Sequence, residues 1–141
     1  MGSNHLFKIV LADDHALVRQ GIKEIIEESP ELKVVGEAGD GLDLIDYLKT
    51  NTPWPDMVIM DISMPKMGGI EATDKIKGHC PQIKVLILTM HNAQDYMKLA
   101  LSKGADGYLL KHEAGEELLR AISTIRRGGT YICPLMREPA A

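Results

Sequence analysis

The stretch MVIMDISMPKMGG, residues 57–69, runs four apolar residues into Asp61 and then meets a proline and two glycines. A short apolar run without polar alternation reads as a strand buried on both faces, and Pro65, Gly68 and Gly69 mark where the chain turns away. The strand therefore delivers a carboxylate to its end. A lone aspartate in that place commonly caps the next turn, so the neighbouring segments decide whether Asp61 does chemistry.

Working outward, residues 8–12, 33–37 and 84–88 share this β-branched and aliphatic character, and 108–110 forms a shorter run. Their near-continuous apolarity predicts a parallel sheet covered on both faces. Helical spacing fills the gaps: Val18, Ile22, Ile25 and Ile26, then Leu44, Ile45 and Leu48, then Ile70 and Ile76. Met97, Ala100 and Leu101 follow the fourth strand, and Leu118, Leu119, Ile122 and Ile125 the fifth, each set on one helical face. Strict alternation predicts a doubly wound α/β domain built of right-handed crossovers. Ligands bind such sheets beyond the carboxyl ends of the strands.

A length of 141 residues favours one domain, able to bury roughly 70% of its unfolded surface. The net charge of -4 argues against this chain gripping nucleic acid by itself. Aromatics make up 4% of the residues, too few for a base-stacking or flavin-sandwiching surface. Cys80 and Cys133 are far apart, without CxxC spacing, which fits reduced thiols in a cytoplasmic setting. No run approaches a membrane span, and MGSNH lacks the features of a signal peptide. Residues 1–6 read as a cloning remnant or loose start, 7–128 as the domain, and 129–141 as a tail or the beginning of a linker.

The residues that follow the strands are Asp13 and Asp14, Asp61, Thr89 and Lys111. Parallel strands bring them to one rim. Two carboxylates about 4 Å apart repel by roughly 4 kcal/mol at an effective dielectric near 20, so a cation is expected among them. Oxygen ligands without His or Cys point to Mg²⁺, and zinc is disfavoured. Lys111 beside a metal is placed for an incoming phosphoryl group, the Thr89 hydroxyl for one of its oxygens, and the carboxylate opposite for the role of nucleophile.

Together KIVLADDH, VIMDISMPKMGG, VLILTMH and GYLLK resemble the receiver domain of a two-component response regulator, over nearly the whole chain. ADDHALVRQGI, GYLLK and RRGGTYICP further resemble receivers of the LuxR-type (NarL/FixJ) transcription regulators. The resemblance implies a flavodoxin-like, five-stranded parallel sheet in the order 2-1-3-4-5. It implies that Asp61 accepts a phosphoryl group from a sensor histidine kinase. Asp14 and Asp61 would bind Mg²⁺ directly, the Ser63 carbonyl would add a backbone ligand, and Asp13 would act through water. Lys111 would pair with the phosphate. Thr89 and Tyr108 would be the switch residues, the hydroxyl of one drawn to the phosphate and the ring of the other turning inward. Such a domain is a signalling switch, not an enzyme in its own right, that assists its own phosphotransfer and dephosphorylation. It would form a homodimer on phosphorylation, reach DNA only through an output domain absent from this chain, and have no membrane contact.

Plainer roles stand beside these. Asp13 or Asp14 would simply cap the first helix, Tyr108 would pack, and Arg126 and Arg127 would answer the dipole of the last helix. His15, His91 and His112 show no metal-like spacing. His112 replaces the cis-proline that many receivers carry after the lysine, and Met90 stands where a small residue is common, crowding access to Asp61. A flavodoxin-like electron carrier needs a hydroxyl- and glycine-rich phosphate loop where ADDHAL stands. A Mg²⁺-dependent aspartyl-phosphate phosphatase carries a second aspartate where this chain has Ser63. A stand-alone receiver acting by protein docking is the remaining alternative.

Overall fold

The computed structural model describes residues 6–137. The predicted alternation is present: β1 (Phe7–Ala12), α1 (Ala16–Ile26), β2 (Leu32–Ala38), α2 (Gly41–Thr50), β3 (Met57–Met60) and α3 (Gly69–His79) come first. They are followed by β4 (Lys84–Thr89), α4 (Gln94–Ser102), β5 (Gly107–Leu110), a 3₁₀ turn (Lys111–Glu113), α5 (Ala114–Arg126) and β6 (Tyr131–Ile132). A second 3₁₀ turn, Pro134–Met136, ends the described segment. Residues 1–5 and 138–141, read from sequence as parts of a loose start and a tail, lie outside the described residues.

The sheet is parallel throughout, in the order β2-β1-β3-β4-β5-β6. Five of these strands follow the expected order, and the sixth corrects the expectation of a tail. Tyr131 pairs with Gly107 and Ile132 with Tyr108, while Cys133 N–H donates to the Tyr108 carbonyl at 3.0 Å. Tyr131, Cys133 and Met136 are buried.

Helices α1 and α5 pack together, as do α2 with α3 and α3 with α4, so both faces are covered. Strands β1, β3, β4 and β5 are buried almost end to end, as their continuous apolarity predicts. β2 departs from the expected two-faced burial. It is an edge strand, and Val34 is buried while Lys33 and Val35 face out. Its pairing with β1 skips Val35, a bulge between the Ile9–Val34 and Val10–Gly36 partners.

Register fixes where the rim lies. Ala12 pairs with both Ala38 and Met60, so β1, β2 and β3 end level, while Met60 pairs with Ile87 and β4 runs two residues further to Thr89. The chain continues in bonded geometry past two of those ends: Asp13 N–H donates to Ala38 O at 3.0 Å and Asp61 N–H to Ala12 O at 3.1 Å.

Candidate functional site: an acidic rim with one buried lysine

Asp13, Asp61 and Thr89 are buried polar residues at the carboxyl ends of β1, β3 and β4. Thr89 is the last residue of β4. The 3₁₀ turn that starts at Lys111 returns that side chain over the sheet end. Its Nζ lies 2.7 Å from Asp13 Oδ2 and 2.9 Å from Asp61 Oδ2, with all three side chains less than a tenth exposed. A charge taken from water this completely needs both pairing and hydrogen bonds, and Lys111 has both. Burial alone would lower the Lys111 pKa, but hydrogen bonds and charge from Asp13 and Asp61 outweigh it and hold the ammonium above its ordinary value.

The loop after β3 holds Asp61 in place. Asp61 Oδ1 accepts the Ser63 N–H at 3.2 Å, a turn built from the aspartate's own side chain. Met64 and Met67 are buried, Lys66 takes φ 67°, and Gly69 N–H donates to Ile62 O at 2.8 Å. Gly69 is required by close approach, because a Cβ there would lie 2.3 Å from the Asp61 carbonyl oxygen. The loop after β1 is braced from α1, where Arg19 donates through one guanidinium nitrogen to the Asp13 carbonyl and through Nε to Glu37 at 3.0 Å.

Neither aspartate caps α1. The N-cap is His15, which makes no side-chain capping bond, and its backbone N–H donates to Asp13 Oδ1 at 2.8 Å. The imidazole faces the acidic pair, with Nδ1 3.2 Å from Asp13 Oδ1 and 3.2 Å from Asp14 Oδ1. Ligand atoms of Asp13, Asp14, His15 and Asp61 all lie within 4.8 Å of one another. Three carboxylates on one rim fit a hard divalent cation. Sequence reading missed His15 because its relation to the carboxylates is spatial.

It missed His91 too. His91 N–H donates to Thr89 Oγ1 at 3.1 Å, its carbonyl accepts the Tyr108 hydroxyl at 2.8 Å, and its Nε2 lies 2.9 Å from Ser63 Oγ. One residue thus ties together three predicted site positions. The only signal in the sequence was its place two residues after Thr89. Tyr108 corrects an expectation: its ring is already inside, fully buried, and burial foremost pushes the phenol up to about 12.

Thr52–Pro53 is the cis peptide among the described residues, so Lys111–His112 is trans, as expected of a non-proline bond. Met90 is 70% exposed, so its side chain stands in solvent and not in the core. Arg126 lies in the last turn of α5 and Arg127 is its C-cap, as expected of residues that answer the helix dipole, and Arg126 also pairs with Glu31 at 2.8 Å and lies over the Phe7 ring.

The response regulator receiver domain family matches residues 9–123. The chain belongs to that family. The receiver is 45% identical over 130 residues to the oxygen regulatory protein NreC of Staphylococcus carnosus, which covers 92% of this chain but only 59% of NreC. Among solved structures, a LuxR-family two-component response regulator from Aurantimonas sp. superimposes with a TM-score of 0.87 and 37% identity, covering 93% of this chain and 92% of that one. The isolated receiver of RcsB from Salmonella enterica, solved with the phosphomimetic BeF₃⁻, gives 0.85 at 29% identity, covering 93% and 96%. The receiver is a signalling domain of LuxR-family type, and this family sets aside the flavin carrier and the phosphatase. Among its described residues no helix is long and apolar enough to cross a membrane.

Proposed function

We propose that Asp61 is the phosphoacceptor and that a sensor histidine kinase is the donor. The observation that carries this reading is the Lys111 ammonium shared between Asp61 and Asp13 in a buried site. One Asp61 carboxylate oxygen attacks phosphorus, the bond from phosphorus to the donor imidazole nitrogen breaks, and that nitrogen leaves with the electron pair and takes up a proton. An aspartyl phosphate results. Mg²⁺, when bound, neutralises charge on the phosphoryl oxygens. Asp14 and Asp61 would hold it directly, with the Ser63 carbonyl as a backbone ligand and Asp13 acting through water.

Lys111 follows a phosphoryl oxygen, and the Thr89 hydroxyl donates to another. Turning toward that oxygen takes the Thr89 hydroxyl away from the His91 N–H that it now accepts. The loop between β4 and α4 then loses an anchor, and because His91 also carries the Tyr108 bond, the surface of α4, β5 and α5 changes with it. This is a population shift, driven by contacts that differ between the two states. The same residues assist transfer and later hydrolysis. The output is homodimerisation and transcription control through a DNA-binding region outside these 141 residues, in the cytoplasm, where Cys80 and Cys133 stay as free buried thiols.

The test is incubation with acetyl phosphate or a phosphorylated kinase, with and without Mg²⁺, followed by mass spectrometry of the trapped acyl phosphate. Label on Asp61 that requires Mg²⁺ is the expected result. Full labelling of Asp61→Asn would overturn it.

A further inference from the structure

Helices α2 and α3 pack against each other, yet between them and the segment leading into β3 lies a cavity of about 300 Å³. Its apolar walls are Ile45 and Leu48 from α2, Ile76 from α3, and Trp54. Trp54 is pinned there, because its indole N–H donates to the Leu48 carbonyl at 3.1 Å while the side chain stays 38% exposed. With its one polar atom satisfied inside the chain, the ring offers the cavity apolar surface alone. Cys80 adds a buried thiol, which burial holds protonated. Water finds few polar partners in such a space, whereas an apolar body fills it well.

The mouth carries the opposite character. Lys49 and Lys75 line the cavity and are exposed, so each lays its methylene stem along the wall and keeps its ammonium in water. Neither forms an ion pair with a described residue, and no carboxylate lines the cavity. Two unpaired cations at an apolar opening are a local exception in a chain of net charge -4. A phosphate would favour an arginine fork, which the lining lacks. Two flexible point charges suit a carboxylate. Water takes about 30 Å³ per molecule in the liquid, so the volume admits about ten non-hydrogen atoms.

We propose that this cavity binds a small carboxylate with an apolar body, the body lying among Ile45, Leu48, Trp54 and Ile76 and the carboxylate between Lys49 and Lys75. Asp13, Asp61, Thr89 and Lys111 do not line it, so the proposal stands apart from the phosphoacceptor reading.

Trp54 is the one tryptophan of the chain, so its emission reports on the cavity directly. The experiment titrates the unphosphorylated chain with octanoate, octanol and octylamine, following that emission and the amide NMR spectrum. Octanoate should bind saturably with a dissociation constant below about 1 mM, shifting amides of α2, α3 and residues 51–56; octanol should bind more weakly and octylamine not at all. Lys49→Gln/Lys75→Gln should weaken octanoate roughly fivefold and leave octanol unchanged, which also shows that the variant keeps its cavity. Lys33→Gln/Lys103→Gln, which removes the same charge elsewhere on the surface, should bind octanoate as the wild type does. Octanol or octylamine binding as tightly as octanoate, or equal losses in the two lysine variants, would overturn the carboxylate assignment. Absence of a saturable change, or amide shifts scattered beyond α2, α3 and residues 51–56, would overturn the site itself.

Discussion

Lys111 Nζ lies 2.9 Å from Asp61 Oδ2, so before any phosphoryl group arrives the carboxylate we propose as acceptor is already paired with the cation that would follow the phosphate. Removing that cation leaves Asp13 and Asp61 buried side by side. Lys111→Met should therefore lower stability by about 3 kcal/mol, or about 10 °C in melting temperature. Millimolar Mg²⁺ should restore more of this loss than it adds to wild type, because the ion substitutes for the missing charge. Calorimetry of both chains with and without the ion checks this; equal Mg²⁺ effects would contradict it.

Thr89 and His91 make the second test. The Thr89 hydroxyl accepts the His91 N–H at 3.1 Å, and the Tyr108 hydroxyl donates to the His91 carbonyl at 2.8 Å. With beryllofluoride as phosphoryl mimic, wild type should show amide shifts through residues 90–96 and 107–110. Thr89→Ala should still bind the mimic but lose most of those shifts. Identical spectral changes in both would remove Thr89 as the relay and leave the Lys111–His112 turn as the route.

The alkaline limb of stability tests the buried polar groups. Tyr108 is raised from 10 to about 12, chiefly by burial, and Lys111 is raised by its two carboxylates against the opposing effect of burial. In both cases the folded state holds its proton longer than the unfolded chain. Their stabilisation is complete below pH 10 and drains away above it, through about 12 for Tyr108. Tyr108→Phe should lose about 1 kcal/mol at neutral pH, with the His91 carbonyl bond, yet show a shallower decline from pH 10 to 12. Urea titrations across that range measure both slopes; parallel declines would rule out Tyr108 as a source.

Gly69 bears on how the acceptor is aimed. A Cβ at Gly69 would meet Asp61 O at 2.3 Å and Asp61 C at 3.0 Å, both backbone atoms that cannot rotate aside. Gly69→Ala should cost roughly 2–3 kcal/mol and slow Mg²⁺-dependent labelling of Asp61 at least tenfold. A variant that labels at the wild-type rate would show that the α3 start is free to shift without moving the acceptor.

The rim was legible in the sequence for a simple reason. A parallel sheet converts "the residue after each strand" into a place, so Asp13, Asp61, Thr89 and Lys111 converge once the strands are read. His15 and His91 were not legible because their roles depend on how two loops fold back, and neither lies at a spacing that a one-dimensional pattern marks. The exposure of Val35 follows from β2 lying at an edge, which apolarity alone does not reveal. Tyr108 was placed on the correct strand with the wrong starting orientation, since no sequence rule says which rotamer the His91 carbonyl will hold. β6 escaped because two residues, Tyr131 and Ile132, followed closely by Pro134, carry no periodicity of either kind.

That sixth strand gives the last prediction. Tyr131 N–H donates to Asp106 O and Cys133 N–H to Tyr108 O, each at 3.0 Å, so the segment closes the open edge of β5. Tyr131 is 3% exposed, Cys133 fully buried and Met136 1% exposed, and the Tyr131 hydroxyl donates to Glu117 of α5. On the other side, Gln94 Nε2 at the start of α4 donates to the Met136 carbonyl at 3.0 Å. A chain ending at Thr130 would bare the β5 edge and the apolar surface these residues cover, whereas a passive tail would be lost without effect. Met136→Ala offers the gentler version: it should cost about 2–4 kcal/mol through the cavity it opens. Gln94→Ala should cost about 1 kcal/mol. In hydrogen exchange, the amides of 107–110 should lose protection in the truncated chain before those of β1 and β3 do, because they alone lose a neighbouring strand. If the shortened chain melts with the full one and keeps that protection, residues 131–137 are packed on the domain without supporting it.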